Sequence, residues 1–520
     1  MVHKLQINPK VAEEVNSKVS RLRSVTSQAI ACMAPNILLL NLGMAVSFAT
    51  ISIPELLDAP EGISLTKDQT SWFGSISFLV QPLGALVSGP IVDYFGRKKG
   101  NFIVNIPHLI AWSLMYWAWN VPSLFAANVL LGLGTGIMEA PINVYVGEIS
   151  EPVFRGSLYV VTQVFVSLGI LIMYFMGTVV SWRNAALISL AAPISSMIFA
   201  LVAPETPVFL LSKGRKEEAL KSLRYLRGWT TTANVQEEFE QVNAYTEKLK
   251  QCVICQSIPD KISEECEHKQ MNCFNRFIIK LRYVMLCKEN LRPLTIIVMY
   301  FLFFVMSGLS PIRPNMVNLC GAFGMQGDAN NIVLMVGIIT FVTSIPLVGI
   351  VRLIGKRKLA LIMMLGTAIS TAALSGYART NLGNSVFSYD PKTFPKETSK
   401  VPLILLYILT VFNGVSIPWV FVGELFPFRS RASSQGFVAA TNYIITFLAS
   451  KTLIDFETSI HLWGAFAVYA CFSFVGTVFL YFFLPETEGK TLQEIESYFN
   501  GKFRMFADDP FINFFRRHKR

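Results

Sequence analysis

Apolar stretches of about 20 residues, the length a helix needs to cross a hydrocarbon core, recur twelve times along this chain. Six lie near 31–54, 72–94, 101–119, 124–147, 157–180 and 185–203, and six near 293–317, 331–354, 359–378, 401–423, 433–454 and 462–484. With only 15% charged residues among 520, a soluble single domain is excluded and most of the chain meets lipid. The expected class is an all-α membrane protein with twelve transmembrane helices. The polar first 25 residues, with Lys4, Lys10, Lys18, Arg21 and Arg23, lack the apolar core and small-residue site of a cleaved signal. The mature chain is therefore expected to keep its N-terminus.

Lys and Arg in the short connections set the expected orientation. Arg97, Lys98 and Lys99 follow the second stretch, Lys356, Arg357 and Lys358 the eighth, and Arg429 and Arg431 the tenth. All fall on one side, together with residues 1–30, the 204–292 connection and the tail 485–520, which ends in "RRHKR". That side is expected to be cytoplasmic, in a plasma-membrane protein with both termini inside. The net charge of +11 is then mostly this bias, with anionic lipid as its neighbour and no reason to invoke nucleic acid.

The 204–292 connection contains "SKGRKEEALKSLRYLRGW", in which Ala219, Leu220, Leu223 and Leu226 recur at helical spacing. Short amphipathic helices are expected there. Cys252, Cys255, Cys266, Cys273 and Cys287 also fall in this segment. A disulfide framework does not suit a reducing compartment, and the spacing fits no compact zinc finger, so the expectation is free thiols with no metal or other cofactor.

The chain repeats itself. "GPIVDYFGRKK" at 89–99 recurs as "GIVRLIGKRK" at 349–358, and "GEISEPVFRGS" at 147–157 as "GELFPFRSRAS" at 423–433. "PETPVFLL" at 204–211 answers "PETEGKTL" at 485–492. Three matches in order imply two six-helix halves, 31–203 and 293–484, built as parallel repeats. On these motifs the chain resembles the sugar porters of the major facilitator superfamily over nearly its whole length, with a texture most similar to the insect branch that includes facilitated trehalose transporters. The resemblance implies the major facilitator fold, two pseudo-symmetric halves with a cytosolic helical linker, acting as a monomer on a small-molecule solute.

Opposite charges at similar depth can pair when one side is shut and separate when it opens. Asp93, Arg97, Glu148 and Arg155 form such a set in the first half, Glu424 and Arg431 in the second, and the resemblance adds Glu205 and Glu486 to this gating ring. The plainer reading is that these residues only satisfy positive-inside loops. Position 352 is arginine where the family usually has an acid. It leaves Arg352, Lys356, Arg357 and Lys358 as a like-charge cluster. The second half is therefore expected to be held less tightly, unless Glu424 or Glu486 takes over.

The resemblance places solute contacts on Gln163, eight residues after Arg155, on Asn442 and Tyr443 after Arg431, and on Trp419 of "PW". Amides, hydroxyls and an aromatic face are what a polyhydroxylated ligand needs, although each residue also has a reading as interhelical glue or an interfacial aromatic. In the seventh stretch the family's two glutamines and asparagine are gone, with Ser310 at the asparagine position, while Ser307 and Gly308 remain. Ser307 and Ser310 stay as candidates for solute contact. Arg313 follows between Pro311 and Pro314. It is expected near the outer mouth, about 30 Å along the helix from the cytosolic end. It can snorkel to water, serve an outer gate, or hold a carboxylate, phosphate or sulfate. Of the last two, the gate is preferred to the anion site.

Glu139 is the other intramembrane charge, read either as a protonated interhelical bond or as a proton-coupling group. The first stretch, where proton-coupled sugar porters carry an aspartate, has no acid between 31 and 54. Facilitated diffusion of a hexose or trehalose is therefore expected over symport. No phosphate loop, H-E-x-x-H or nucleophile elbow supports an enzyme. The alternatives are a carrier of a non-sugar or anionic small solute and a porter-like sensor that transports nothing.

Overall fold

The structure, a computed structural model, describes residues 21–250, 275, 288–325, 327–383, 399–426, 431–488, 490 and 492–499. The side chains of residues 152–157 and of position 352 lie outside this set, as do the five linker cysteines.

A helix covers each of the twelve expected stretches. The first span is Met33–Leu56, the second Lys67–Phe95, and the third a pair, Arg97–Ile103 and Asn105–Tyr116. The fourth divides at Met138 into Val121–Ile137 and Glu139–Ile149; the fifth runs unbroken over Pro152–Val179. The sixth joins Trp182–Ser189 to Ala191–Val202. In the second half the seventh span is broken into Lys288–Val305, Leu309–Ile312, a tight turn Arg313–Asn315 and Met316–Ala322. The eighth is Ala329–Ile354, the ninth Lys356–Tyr377, the tenth Val401–Asn413 with Pro418–Val422, the eleventh Arg431–Lys451 and the twelfth Leu453–Phe483.

Local chemistry sets several boundaries. Thr66 and Gln69 exchange bonds as a capping box at the start of the second span, and Asn120 with Ser123 does so at the fourth. Among the described residues, nine helices are long and apolar enough to cross a bilayer, and the two arms of the seventh span, bent by 51°, make a tenth. The third and eleventh spans fall short for a visible reason. The third starts on Arg97, Lys98 and Lys99, and the eleventh carries Ser433, Ser434, Gln435, Thr441 and Asn442.

Within the first half, span one packs along span five and span two along span four; in the second, span nine packs along span twelve. Bare backbone permits the first of these contacts. A Cβ on Gly43 would stand 2.1 Å from the Val166 carbonyl oxygen, and one on Gly169 2.0 Å from that of Leu40. Between halves, span two runs along span eleven and span five along span eight. These two seams leave a space between them.

The connection after span six folds into Pro207–Ser212, Lys216–Leu226 and Thr232–Lys250. Ala219, Leu223 and Leu226 are buried, as their spacing requires. Arg227 clamps these helices to the first half, 2.6 Å from Glu238 and 3.6 Å from Glu151. This end of the bundle is called the linker end below.

Candidate solute cavity and its gates

The space between the seams is a cavity of about 150 Å³, room for roughly ten waters. Its wall comes from spans one, two, four and five on one side and spans seven, ten and eleven on the other. Gln163 and Asn442 both line it, and neither side-chain amide has a hydrogen-bond partner among the described residues. Trp419 lines it too, its ring held at 4.9 Å from Phe301 and 6.4 Å from Tyr443. The unpaired amides are thus set beside an aromatic face.

Ser310 also faces the cavity, but Ser307 does not. Its buried hydroxyl donates to the Phe304 carbonyl and accepts from the Asn413 side-chain amide. Ser307 therefore positions Asn413, which does line the cavity. Asn413 returns an amide to the region where span seven lost its own. It carries no family motif, and its one sequence signal was a lone amide in span ten.

Glu139 and Tyr443 meet across the halves, the tyrosine hydroxyl donating to the carboxylate. The Asn143 side chain donates to the other carboxylate oxygen at 3.4 Å. Glu139, read from the sequence as either an interhelical bond or a proton-coupling group, is thus the centre of a bond between the halves.

At the linker end of the first half, Arg97 grips Glu148 through Nη2 at 2.6 Å and Nε at 3.0 Å. The Thr206 hydroxyl donates to the same carboxylate. Glu205 accepts the backbone N–H groups of Arg97 and Lys98, each at 3.1 Å. Gly96 makes this approach possible. Its φ is 92°, and a Cβ there would lie 2.5 Å from Glu205 Oε2. Burial raises the Glu205 carboxyl above its ordinary range, against the N–H groups of Thr206 and Lys98 and the charge of Arg97.

The second half repeats this plan with different parts. Glu486 accepts from the backbone N–H groups of Lys356 (3.0 Å) and Arg357 (3.1 Å), beneath Gly355 at a φ of 85°. The ammonium of Lys356 lies 2.7 Å from both oxygens of Glu424 and 2.9 Å from Glu488. Lys356 therefore does not belong to a repelling cluster; it is the cation of the second network. The Arg357 side chain donates to the Tyr481 carbonyl at 2.5 Å. The arginine at 352 was expected to weaken this half, but Glu424 is engaged as the stated exception required.

Arg431 is buried, donating to the Phe426 carbonyl at 3.5 Å, and a Cβ on Gly147 would stand 3.6 Å from its Nη1. It thus reaches span four of the other half. Arg155, its counterpart, has its side chain outside the described set. Sequence reasoning missed Tyr159. Its hydroxyl donates to the Asn143 carbonyl at 2.9 Å, while its ring lies so close to Gly423 that a Cβ there would be 2.5 Å from Cζ. Span five thereby touches span ten beneath the cavity.

At the far end the halves touch again. Thr50 donates to the carbonyl of Arg313 at 2.8 Å, and a Cβ on Gly74 would stand 3.1 Å from Pro314 Cβ. Lys451 lies 3.0 Å from the Ser71 hydroxyl and 4.6 Å above the Trp72 ring. The break in span seven allows this. Gly308 has a φ of 109° and lies against the Tyr469 ring, with 2.8 Å to Cδ2 from a Cβ built there. Arg313 itself is half-buried and lines the cavity. The outer-gate ion pair expected of it does not form: no acid meets it among the described residues.

A cavity of unpaired amides, bridged at both ends by contacts between two matching halves, agrees with the family comparison. Residues 23–499 match the family described as "Sugar (and other) transporter". The chain belongs to the sugar transporter family. Among similar sugar transporters, the facilitated trehalose transporter Tret1 of Polypedilum vanderplanki is 26% identical, over 97% of this chain and 95% of that protein. Tret1 of Bombyx mori is 27% identical over 90% and 86%. Among solved structures, the proton:xylose symporter XylE bound to 6-bromo-6-deoxy-D-glucose aligns with a TM-score of 0.71 at 18% identity, covering 92% of this chain and all of that one. An inward-open XylE from E. coli gives 0.63 at 17%, covering 91% and 99%. The fold is that of the major facilitator superfamily, in a multi-pass membrane protein.

Proposed function

We propose that this chain is a monomeric facilitative carrier of a sugar, a hexose or trehalose, working by alternating access in the plasma membrane with the linker end and both termini in the cytoplasm. The observation that carries the reading is the pair of partnerless amides, Gln163 and Asn442, facing one cavity from opposite halves beside Trp419. A sugar supplies the missing partners and an apolar ring face. Ser310, Asn413 and Tyr443 complete the contact set, with Ser307 acting through Asn413. Asp93, Arg97, Glu148, Arg155 and Glu205, with Glu424, Arg431 and Glu486, gate the linker end. The names of the insect relatives support the same solute class. Because span one offers no acid between 31 and 54, uptake runs down the solute gradient.

A second reading rests on Glu139. A carboxylate bound across the halves by Tyr443 could release that bond on protonation and so couple transport to protons. Purified protein in liposomes decides between them. Labelled hexose or trehalose should equilibrate without accumulating and should ignore an imposed pH gradient, and Gln163→Ala or Asn442→Ala should impair it. Concentrative uptake driven by inward proton flow and lost in Glu139→Gln would replace the uniport reading with symport. Unaltered flux in both amide variants would remove the proposed site.

A further inference from the structure

The cavity wall contains two charged side chains, Glu139 and Arg313, and they are treated very differently. Glu139 receives donors from Tyr443 and Asn143. The Arg313 guanidinium, with five N–H donors, has neither a hydrogen bond nor an ion pair among the described residues. Its neighbours in sequence leave it little freedom. Pro311 and Pro314 are buried on either side, and the Arg313 carbonyl is tied to Thr50 of the opposite half. The backbone that carries the charge is thus fixed against the cavity.

Lys67 and Lys400 at the far end are exposed to solvent, whereas the three other cations there that pack against the protein are partnered. Arg183 donates to the Tyr116 carbonyl at 2.8 Å and stacks on Trp182, Arg379 lies 5.2 Å from the Trp463 ring, and Lys451 has Ser71 and Trp72. A charge at membrane depth is costly, and it is ordinarily paired or used. A side chain that only snorkelled would point to headgroups or water outside, whereas Arg313 lines the same chamber as Gln163 and Asn442. Guanidinium binds oxyanions through paired, charge-assisted hydrogen bonds.

We propose that Arg313 is a specificity-determining residue, which holds a carboxylate, sulfate or phosphate group carried by the sugar. The preferred solute is then an acidic sugar, its hydroxyls on Gln163 and Asn442 and its oxyanion on Arg313. This rests on the sugar-carrier reading above and narrows it.

The test uses the full chain in vesicles of zwitterionic lipid, which removes anionic headgroups as a source of the oxyanion. D-glucose, D-glucuronate and glucose 6-phosphate are compared by uptake, and by the shift in melting temperature that each gives the purified protein. At least one acid should half-saturate at a concentration ten or more times below that for glucose. Arg313→Gln should raise that value tenfold or more while moving the glucose value by less than about twofold, and Arg313→Lys should retain part of the preference. Equal handling of neutral and acidic sugars, or an equal loss for both in Arg313→Gln, overturns the inference and leaves the sugar carrier standing. If the acids neither enter nor shift the melting temperature while glucose does both, the inference also falls. If small organic anions such as lactate enter in an Arg313-dependent way and no sugar does, the sugar reading fails while the oxyanion site survives. If Arg313→Gln does not fold, the wild-type ratio of acidic to neutral sugar decides alone.

Discussion

The two linker-end networks solve one problem with different cations. In the first half a planar guanidinium takes one carboxylate, Glu148, through two nitrogens, and Thr206 adds a hydroxyl. In the second half the ammonium of Lys356, a compact charge without a preferred plane, takes two carboxylates, Glu424 and Glu488. The backbone frame is the same in both: glycine, two N–H groups and a glutamate from the PET motif. What differs is how many acids hang on one cation, and therefore what is exposed when that cation goes.

Lys356→Ala should have the largest effect, because it strands two acids together, one of them buried. Loss of one partner from a buried pair costs about 3–5 kcal/mol, and repulsion between the stranded acids adds to it. Cysteines introduced at the linker end should be labelled far more readily in this variant, and transport should fall with it. Arg97→Ala unpairs one buried carboxylate, Glu148, and should show the smaller loss of the two. If the order is reversed, the two-acid account of the second network is wrong.

Exchanging the cations sharpens the comparison. Arg97→Lys loses the paired geometry and one hydrogen bond to a charged group, about 1.5–3 kcal/mol, read as a rise in labelling intermediate between wild type and Arg97→Ala. Gly96→Ala and Gly355→Ala should behave alike, each forcing a side chain into the left-handed region against a carboxylate, at about 1–3 kcal/mol. Unequal losses of thermal stability in this pair would show that the shared frame is not equally used.

The threonines give the smallest contrast and the cleanest. Thr206→Val removes a donor to Glu148 and should cost about 1 kcal/mol. The buried hydroxyl of Thr487 meets no hydrogen-bond partner among the described residues. Thr487→Val should therefore leave the melting temperature unchanged or raise it. A loss there matching that of Thr206→Val would erase the distinction between the networks.

Much of this was legible in the chain itself. The twelve apolar runs, the seven-residue steps from Glu148 to Arg155 and from Glu424 to Arg431, and the Ser-Gly break at 307–308 depend on local spacing. They fell where helices and hinges now lie. The role of Lys356 was not legible. Its partners Glu424 and Glu488 are 68 and 132 residues away along the chain, and counting charges in a loop sees only the repulsion. Asn413 and Tyr159 escaped for a similar reason: an amide or a phenol inside an apolar span has no signature until the fold shows what it faces. The eleventh span reads weakly by hydropathy because it carries several polar residues, among which Asn442 and Thr446 face the cavity.

Arg313 contributes its carbonyl, not its side chain, to the closure at the far end. Every amino acid supplies that carbonyl, so the door and the selectivity of the chamber occupy one position without competing for the same atoms. A lineage could exchange the residue at 313 and change what the carrier admits while the Thr50 latch stays as it is. Under the proposed roles, selectivity at this point is open to drift and to engineering in a way that the linker-end networks, where the proposed gating atoms are the side chains themselves, are not.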